Sequence, residues 1–497
     1  MSLLFKGSDW NEKTIYNIWK SVDKIGQKKY GLDYYQPQID IISSEQMISL
    51  CSTHAIPTMY NHWSFGKSYS MEIDDYTAGK AGLAFEVVIN SNPSICYIMD
   101  NNTATVQALV IAHAAVGHSS FFKGNYLFKD RTDAKYILPF LSSARKYIQE
   151  CEQNYGFDKV ESLLDACHML AYSSVDFNTI RQHKTAKQKK TQLAQRIEND
   201  RQNVNLVFDT LLGRKELATR EEKDEVSTTN LLLFFETYST HLKPWEKKIV
   251  SIIRYVSEYF FPQIIDSISN EGWASFWHYN IMHDLYETGQ ITAGHMLEVY
   301  DMHSSVVNQS RWIQHHIPAK TDSLNDTVIL NPYYRGLNVY ALGFNIYTDI
   351  KRMSQNPTEE DKRLFPDIAG GDWLENVKFA MANFDDAGFI GQYLSPTVAR
   401  KMKLMQVQSM ANGGGSRFKV QEDLSSDESF LKLRKELSHQ QEYSSKLPLI
   451  EANLRPDHLL RLSYVRNGDR IVDKQSAKQI VSMIESRLWN DKILTDF

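Results

Sequence analysis

Residues 270–278, Asn-Glu-Gly-Trp-Ala-Ser-Phe-Trp-His, restrict the fold more than any other stretch of the chain. Glu271 and His278 lie seven residues apart, two helical turns or about 700° of rotation, so both side chains leave the same helix face. Trp273, Phe276 and Trp277 surround them, and a segment this aromatic belongs inside a protein. A carboxylate and an imidazole are costly to bury there without a partner or a task. The same conflict recurs upstream, where His113 and His118 punctuate the apolar run that begins at Val106. Together the two segments predict a buried polar site in a helical core, with metal binding as one use.

Of the 497 residues, 42% are hydrophobic and 12% aromatic, ample for a large core and for more than one domain. A net charge of −5 and a pI near 6.3 give no overall reason to expect nucleic-acid or anionic-membrane binding. Cys51, Cys96, Cys151 and Cys167 show no CxxC spacing, so reduced thiols in a cytoplasmic protein are expected. The first residues lack a signal-peptide pattern. No apolar run reaches the ~18–20 residues that span a bilayer, so no transmembrane segment is expected.

The periodicity is mainly that of an α protein. Helices are expected over residues 10–29, after a Ser43/Gln46 capping box, over 103–116 with Gly117 as a stop, over 135–173, from Pro244 to an interruption at Pro262, and over 288–308 and 336–355. Phe85–Ile89 is β-branched and extended, and Asn90-Ser-Asn-Pro93 breaks the chain after it. A polar, charged insertion occupies about 178–228 and reads as solvated. Composition changes near residue 405, and the remainder follows a ββαββα order. The expected organisation is therefore a large helical core domain over 1–402 and a small C-terminal α+β domain over 403–497.

Spacing limits what the polar residues can do together. In a straight helix His118 sits about 140° around the axis from His113, so the two share a ligand only if the helix ends at Gly117 and the chain turns back. Glu271 and His278 share a face but lie about 10.5 Å apart along the axis. One ion does not reach both in a straight helix. His278 is then the better ligand, and Glu271 the better general base or outer partner. His283, a further five residues on, falls off the site. Nucleotide-binding glycine loops, the GxSxG nucleophile motif and EF-hand patterns are missing from the sequence.

Longer strings carry a family resemblance. Asn270–Tyr279, His62-Trp-Ser-Phe-Gly-Lys67, Val88–Pro93, His118–Tyr126, Asn338–Gly343, Phe365–Gly370 and Gln392–Pro396 resemble the signatures of the SpoVR family, stage V sporulation protein R and its relatives, across about residues 5–400. Ser275 stands where the family pattern has Thr. The resemblance implies a cytoplasmic protein tied to spore-cortex formation or, outside spore formers, to stress physiology and remodelling of the cell envelope and its peptidoglycan. It also implies a PrkA-type serine kinase and a von Willebrand factor A-like protein as partners. The family motifs carry His62, Glu86, Asn90, His113, His118, Glu271, His278 and His303. The resulting expectation is a metal-dependent hydrolase-like site with a divalent ion, zinc or iron. His113, His118 and His278 are its ligands, Glu86 a fourth ligand or catalytic group, and Glu271 the general base. His62, Asn90, Asn92 and His303 are expected around the substrate or behind the ligands. The alternative is a non-catalytic adaptor in the kinase complex.

Overall fold

The computed structural model describes residues 2–77, 86–175, 226–310, 313–317, 327–330, 336–404, 406–412, 415–421, 426–446, 449–455, 459–465 and 474–496. Among these the chain is mostly α-helical, as its periodicity implies. Contacts group it into two units, Met1–Leu141 with Gln263–Gln441 and Ser142–Pro262 with Glu442–Phe497. Among the described residues no helix is long and apolar enough to cross a membrane.

The first unit opens with α1 (Glu12–Lys24), whose N-terminal N–H of Thr14 donates to the Asn11 side chain. Strands β1 (Pro37–Ile42), β2 (Glu86–Ile89) and β3 (Ser94–Met99) form a small sheet in the order β1-β3-β2. β1 runs parallel to β3 and β2 antiparallel to it, with Glu86 opposite Ile98. The Ser43/Gln46 capping box is present at the head of helix Ser44–Ser52.

Helix α2 (Ala104–Ile111) follows, and every one of its residues is buried. Gly117 is not a stop. The chain winds on through a π segment, Ala112–His118, directly into α3 (Ser119–Gly124). Gly117 serves a different need: a Cβ there would lie 2.6 Å from the Ala274 Cα, so glycine admits a neighbouring helix against the π segment.

That neighbour is α4 (Ser267–Glu287), which carries the aromatic stretch and buries most of it. α5 (Ala293–Val306) and α6 (Val339–Gln355) pack beside it. Gly272 of α4 meets Gly343 of α6 so closely that a Cβ on Gly272 would sit 2.3 Å from the Gly343 Cα. The first turn of α4 is capped from α7 (Asp386–Tyr393), because the N–H groups of Ile268 and Ser269 donate to the Asp386 carboxylate at 2.9 and 2.8 Å. A carboxylate at a helix N-terminus satisfies orphan donors and opposes the helix dipole.

Two expectations change here. Pro262 lies inside helix Pro244–Ile265 instead of interrupting it. The contacts also differ from a division at 402/403. Helix α8 (Asp427–Gln441) packs on α7 within the first unit, and Gln406–Asn412 with Gly415–Gln421 make a separate two-stranded hairpin. In the second unit, β4 (Val226–Thr228), β5 (Ile450–Leu454), β6 (Leu460–Tyr464) and β7 (Ile493–Asp496) form a sheet in the order β7-β6-β5-β4. The ββαββα order of 403–497 is thus present with an added terminal strand, and the sheet takes its edge strand from 226–228. The rest of the charged insertion, 176–225, lies outside the described residues. Phe234, Phe235 and Trp489 build this unit's aromatic core.

Because the contact at Gly272 is with backbone, which does not swing aside, Gly272→Ala is expected to lower the urea midpoint by an amount equivalent to roughly 3 kcal/mol, the upper part of the usual overpacking range. Gly66→Ala, in a helix position with nothing within 4 Å, is expected to leave it unchanged or raise it. Equal midpoints for the two variants would remove the close-approach argument.

Candidate metal centre

Glu86 on β2, the π segment, α4, α5 and the first turn of α6 line one cavity of about 1060 Å³. Its floor is the polar cluster and its walls include Val87, Val88, Leu109, Val110 and Phe122. The π segment explains why His113 and His118 meet. Its i→i+5 turn is wider than an α turn, so residues five apart come round to one face. Their rings stand edge-to-face with centroids 4.7 Å apart.

Donor atoms of His113, His118 and Glu271 all lie within 4.8 Å of one another. Glu271 Oε2 is 3.4 Å from His118 Nε2 and 3.7 Å from His113 Nε2, and Glu86 Oε1 is 3.6 Å from His113 Nε2. These separations are too long for good hydrogen bonds, and the buried Glu271 Oε2 has no hydrogen-bond partner. They match the ligand-to-ligand edge of about 3.3 Å that tetrahedral bonds of ~2.0–2.1 Å imply. His118 Nδ1 donates to Asn270 Oδ1 at 2.9 Å. Its Nε2 therefore presents either a lone pair or an extra proton toward Glu271. Two facing lone-pair atoms repel, so a cation or a proton belongs between them.

The electrostatics separate the two carboxylates. Burial alone would raise both. Glu271 is nevertheless held well below the usual carboxylate range by the charges of His118 and His113. Glu86 is pushed up, with burial outweighing the attraction of His113 and His118 and the nearby Glu271 adding to it. His118 is raised: burial opposes its charge, but Glu271 more than compensates. The Glu271 charge, with burial, keeps the Tyr340 phenol protonated, and that ring stacks at 6.5 Å on His113.

Behind the cluster lies a row of imidazoles. His113 Nδ1 is 2.9 Å from His278 Nδ1, and His278 Nε2 is 2.8 Å from His303 Nδ1. Burial, then the charge of His113, lowers His278 far below its ordinary value. Burial, then His283, lowers His303 to about 4.

A profile of this architecture's sequence class, described as SpoVR like protein, matches residues 9–446. The chain belongs to the SpoVR family. YcgB of Escherichia coli (strain K12), an uncharacterized protein, is 40% identical to it over 99% of this chain and 93% of its own length. No solved structure matches.

In this SpoVR-family protein, His113, His118, Glu86, Glu271, His278 and His303 all line the one cavity. Their placement exchanges two expected parts. His278 does not join His113 and His118 around a common point, because its Nδ1 faces the far nitrogen of His113. Glu271 takes that place instead, for Gly117 lets α4 sit close enough to bring its carboxylate against both imidazoles. His62 lies elsewhere, 2.6 Å from the Ser64 hydroxyl at the head of helix Trp63–Thr77. Asn90 donates to the Thr132 hydroxyl, and Asn92 lines a separate cavity with Tyr34 and Lys123. His283 is off the site, bonded to Tyr279 and Tyr300. Asn270 and Tyr340 also reach the site, with no local pattern that marks them. Both lie inside the family strings, and Asn270 is the polar neighbour of Glu271.

Unfolded histidines titrate near pH 6.5, whereas His303 resists protonation until about 4 and His278 is lowered as well. The unfolded chain then binds more protons as pH falls, so their contribution to stability is present above about pH 6.5 and is lost as pH drops toward 4. His118 and Glu86, both raised, contribute with the opposite sign, so the variant isolates the effect: from pH 7 to 4.5 the urea midpoint of His303→Gln is expected to fall less, or rise more, than that of the wild type. An unchanged slope in that variant would contradict the assignment.

Proposed function

We propose that this protein is a metal-dependent, hydrolase-like enzyme whose substrate belongs to the cell envelope or its precursors. His113, His118 and Glu271 would hold a divalent ion, zinc or iron, with Glu86 beside them. Two imidazoles and a carboxylate suit either ion. The observation that carries this reading is the buried Glu271 Oε2, without a hydrogen bond and set 3.4 and 3.7 Å from two imidazole nitrogens. Such an ion, when bound, acts as a Lewis acid and lowers the pKa of a coordinated water to about 7.

The chain's own groups divide the remaining work. Glu271, held ionised, suits a ligand. Glu86, pushed up by burial, suits a base that takes a proton from water and returns it to a leaving group. Asn270 fixes His118 so that Nε2 faces the centre. The Tyr340 hydroxyl, kept protonated, supplies a donor at the cavity wall. The cavity, at about 1060 Å³, admits a ligand at least as large as a drug-sized molecule, which a peptidoglycan fragment fits. The family resemblance supports the envelope as the source of that substrate.

Elemental analysis of protein dialysed against zinc or ferrous salt is expected to find a single tightly held ion per chain, and to lose it in the His118→Ala/Glu271→Ala double variant. Wild-type protein that retains no ion overturns the reading. Since the proton raised on His118 must leave before Nε2 can ligate, zinc affinity is expected to strengthen as pH rises from 6 to 8. Glu86→Gln is expected to keep the ion and to slow cleavage of purified peptidoglycan fragments, followed as newly released amines or reducing ends, by about 100-fold or more. Full turnover in that variant would remove Glu86 from the chemistry.

A further inference from the structure

The row of imidazoles behind the cluster has a property that the ligand assignment does not use. His278 is 1% exposed, and each of its ring nitrogens has another imidazole as its partner, His113 at 2.9 Å and His303 at 2.8 Å. A neutral imidazole has one N–H and one lone pair. Two N–H groups cannot face each other at 2.9 Å, nor two lone pairs, so the tautomer of one ring dictates the next. With all three rings neutral, only two arrangements satisfy them.

In the first, His303 Nδ1–H donates to His278 Nε2, His278 Nδ1–H donates to His113 Nδ1, and His113 Nε2–H points at the Glu86 and Glu271 carboxylates. In the second, His113 Nδ1–H donates to His278 Nδ1, His278 Nε2–H donates to His303 Nδ1, and His303 carries its proton on Nε2. His113 Nε2 then offers a lone pair to the cavity. Every ring is neutral in both.

We propose that His113, His278 and His303 form a two-state tautomer relay, in which His303 sets, through His278, whether His113 presents a proton or a lone pair to the site. The interconversion balances. One proton leaves His113 Nε2 for the carboxylates or solvent. The proton between His278 and His113 crosses to His113, the one between His303 and His278 crosses to His278, and His303 Nε2 takes one from solvent. His303 is thus a positioning residue for the centre, two rings away from it. The packing suits this role. His303 lies against the Phe344 and Tyr279 rings, with centroids 4.6 and 4.9 Å away, which hold its plane. The inference rests on the proposed ligand role of His113.

The test uses the full-length chain labelled with ¹⁵N-histidine, whose ring nitrogen shifts distinguish N–H from lone pair, with His303 assigned by its absence in His303→Gln. Zinc is the probe. Addition of zinc is expected to move the His303 proton from Nδ1 to Nε2. In zinc titrations, His303→Phe, which leaves the His278 N–H without an acceptor, is expected to bind about tenfold or more weakly. His303→Gln, whose Oε1 accepts, is expected to stay near wild type. A His303 tautomer that zinc leaves unchanged overturns the relay, as does a His303→Phe affinity equal to wild type or a His303→Gln affinity as poor as that of Phe. Wild-type protein that takes up no zinc at all sinks the metal reading itself, a result distinct from zinc uptake with a silent His303.

Discussion

Two carboxylates and four imidazoles line one cavity of the helical unit, and their charges must be balanced where they lie. An ionised carboxylate away from water is far costlier than any single apolar contact can offset. Glu271 meets this constraint by sitting between His113 and His118, at 3.7 and 3.4 Å. The surrounding architecture follows from it. α4 must approach the π segment closely enough to deliver the carboxylate, so Gly117 faces Ala274. It must also keep α6 close on its other side, so Gly272 faces Gly343. Small residues at these crossings are what allow charged ones to meet a few ångströms away.

Much of this was legible in the sequence, for a physical reason. Burial of His113, His118 and His278 and half-burial of Glu271 follow from the apolar residues flanking them, and helix α2, the strand at Glu86–Ile89 and the Ser43 capping box follow from periodicity and local hydrogen bonding. What escaped depends on geometry that local pattern does not encode. A π turn uses the same residues as an α turn, so the meeting of His113 and His118 was assigned to a break at Gly117. The choice between Glu271 and His278 as third ligand turned on how far α4 sinks against its neighbours, which depends on Gly117, expected to stop its helix, and on Gly272 and Gly343, which carry no such local signal. The edge strand at Val226–Thr228 pairs with Ile450–Leu454 across a sequence gap of more than two hundred residues, and no short-range signal announces such a partner.

The site divides into two layers with different chemistry. Facing the cavity are Glu86, Glu271 and the Nε2 atoms of His113 and His118, where opposite charges attract and the two carboxylates titrate apart. Behind them, His278 and His303 are held neutral by burial. A neutral inner layer adds no charge to a region already carrying two acids. It fixes ring orientation by hydrogen bonds alone, which is the division commonly found around buried ligands.

The cap on α4 bears on how the molecule is made. Ile268 and Ser269 obtain their hydrogen-bond acceptor from Asp386, more than a hundred residues downstream. A chain still emerging from the ribosome therefore carries Glu86, both π-segment histidines and Glu271 long before the helix that aligns them has its first turn secured. That cap becomes available only once synthesis has passed Asp386. A nascent fragment that ends before Asp386 thus holds the polar side chains without this cap on the helix that carries Glu271.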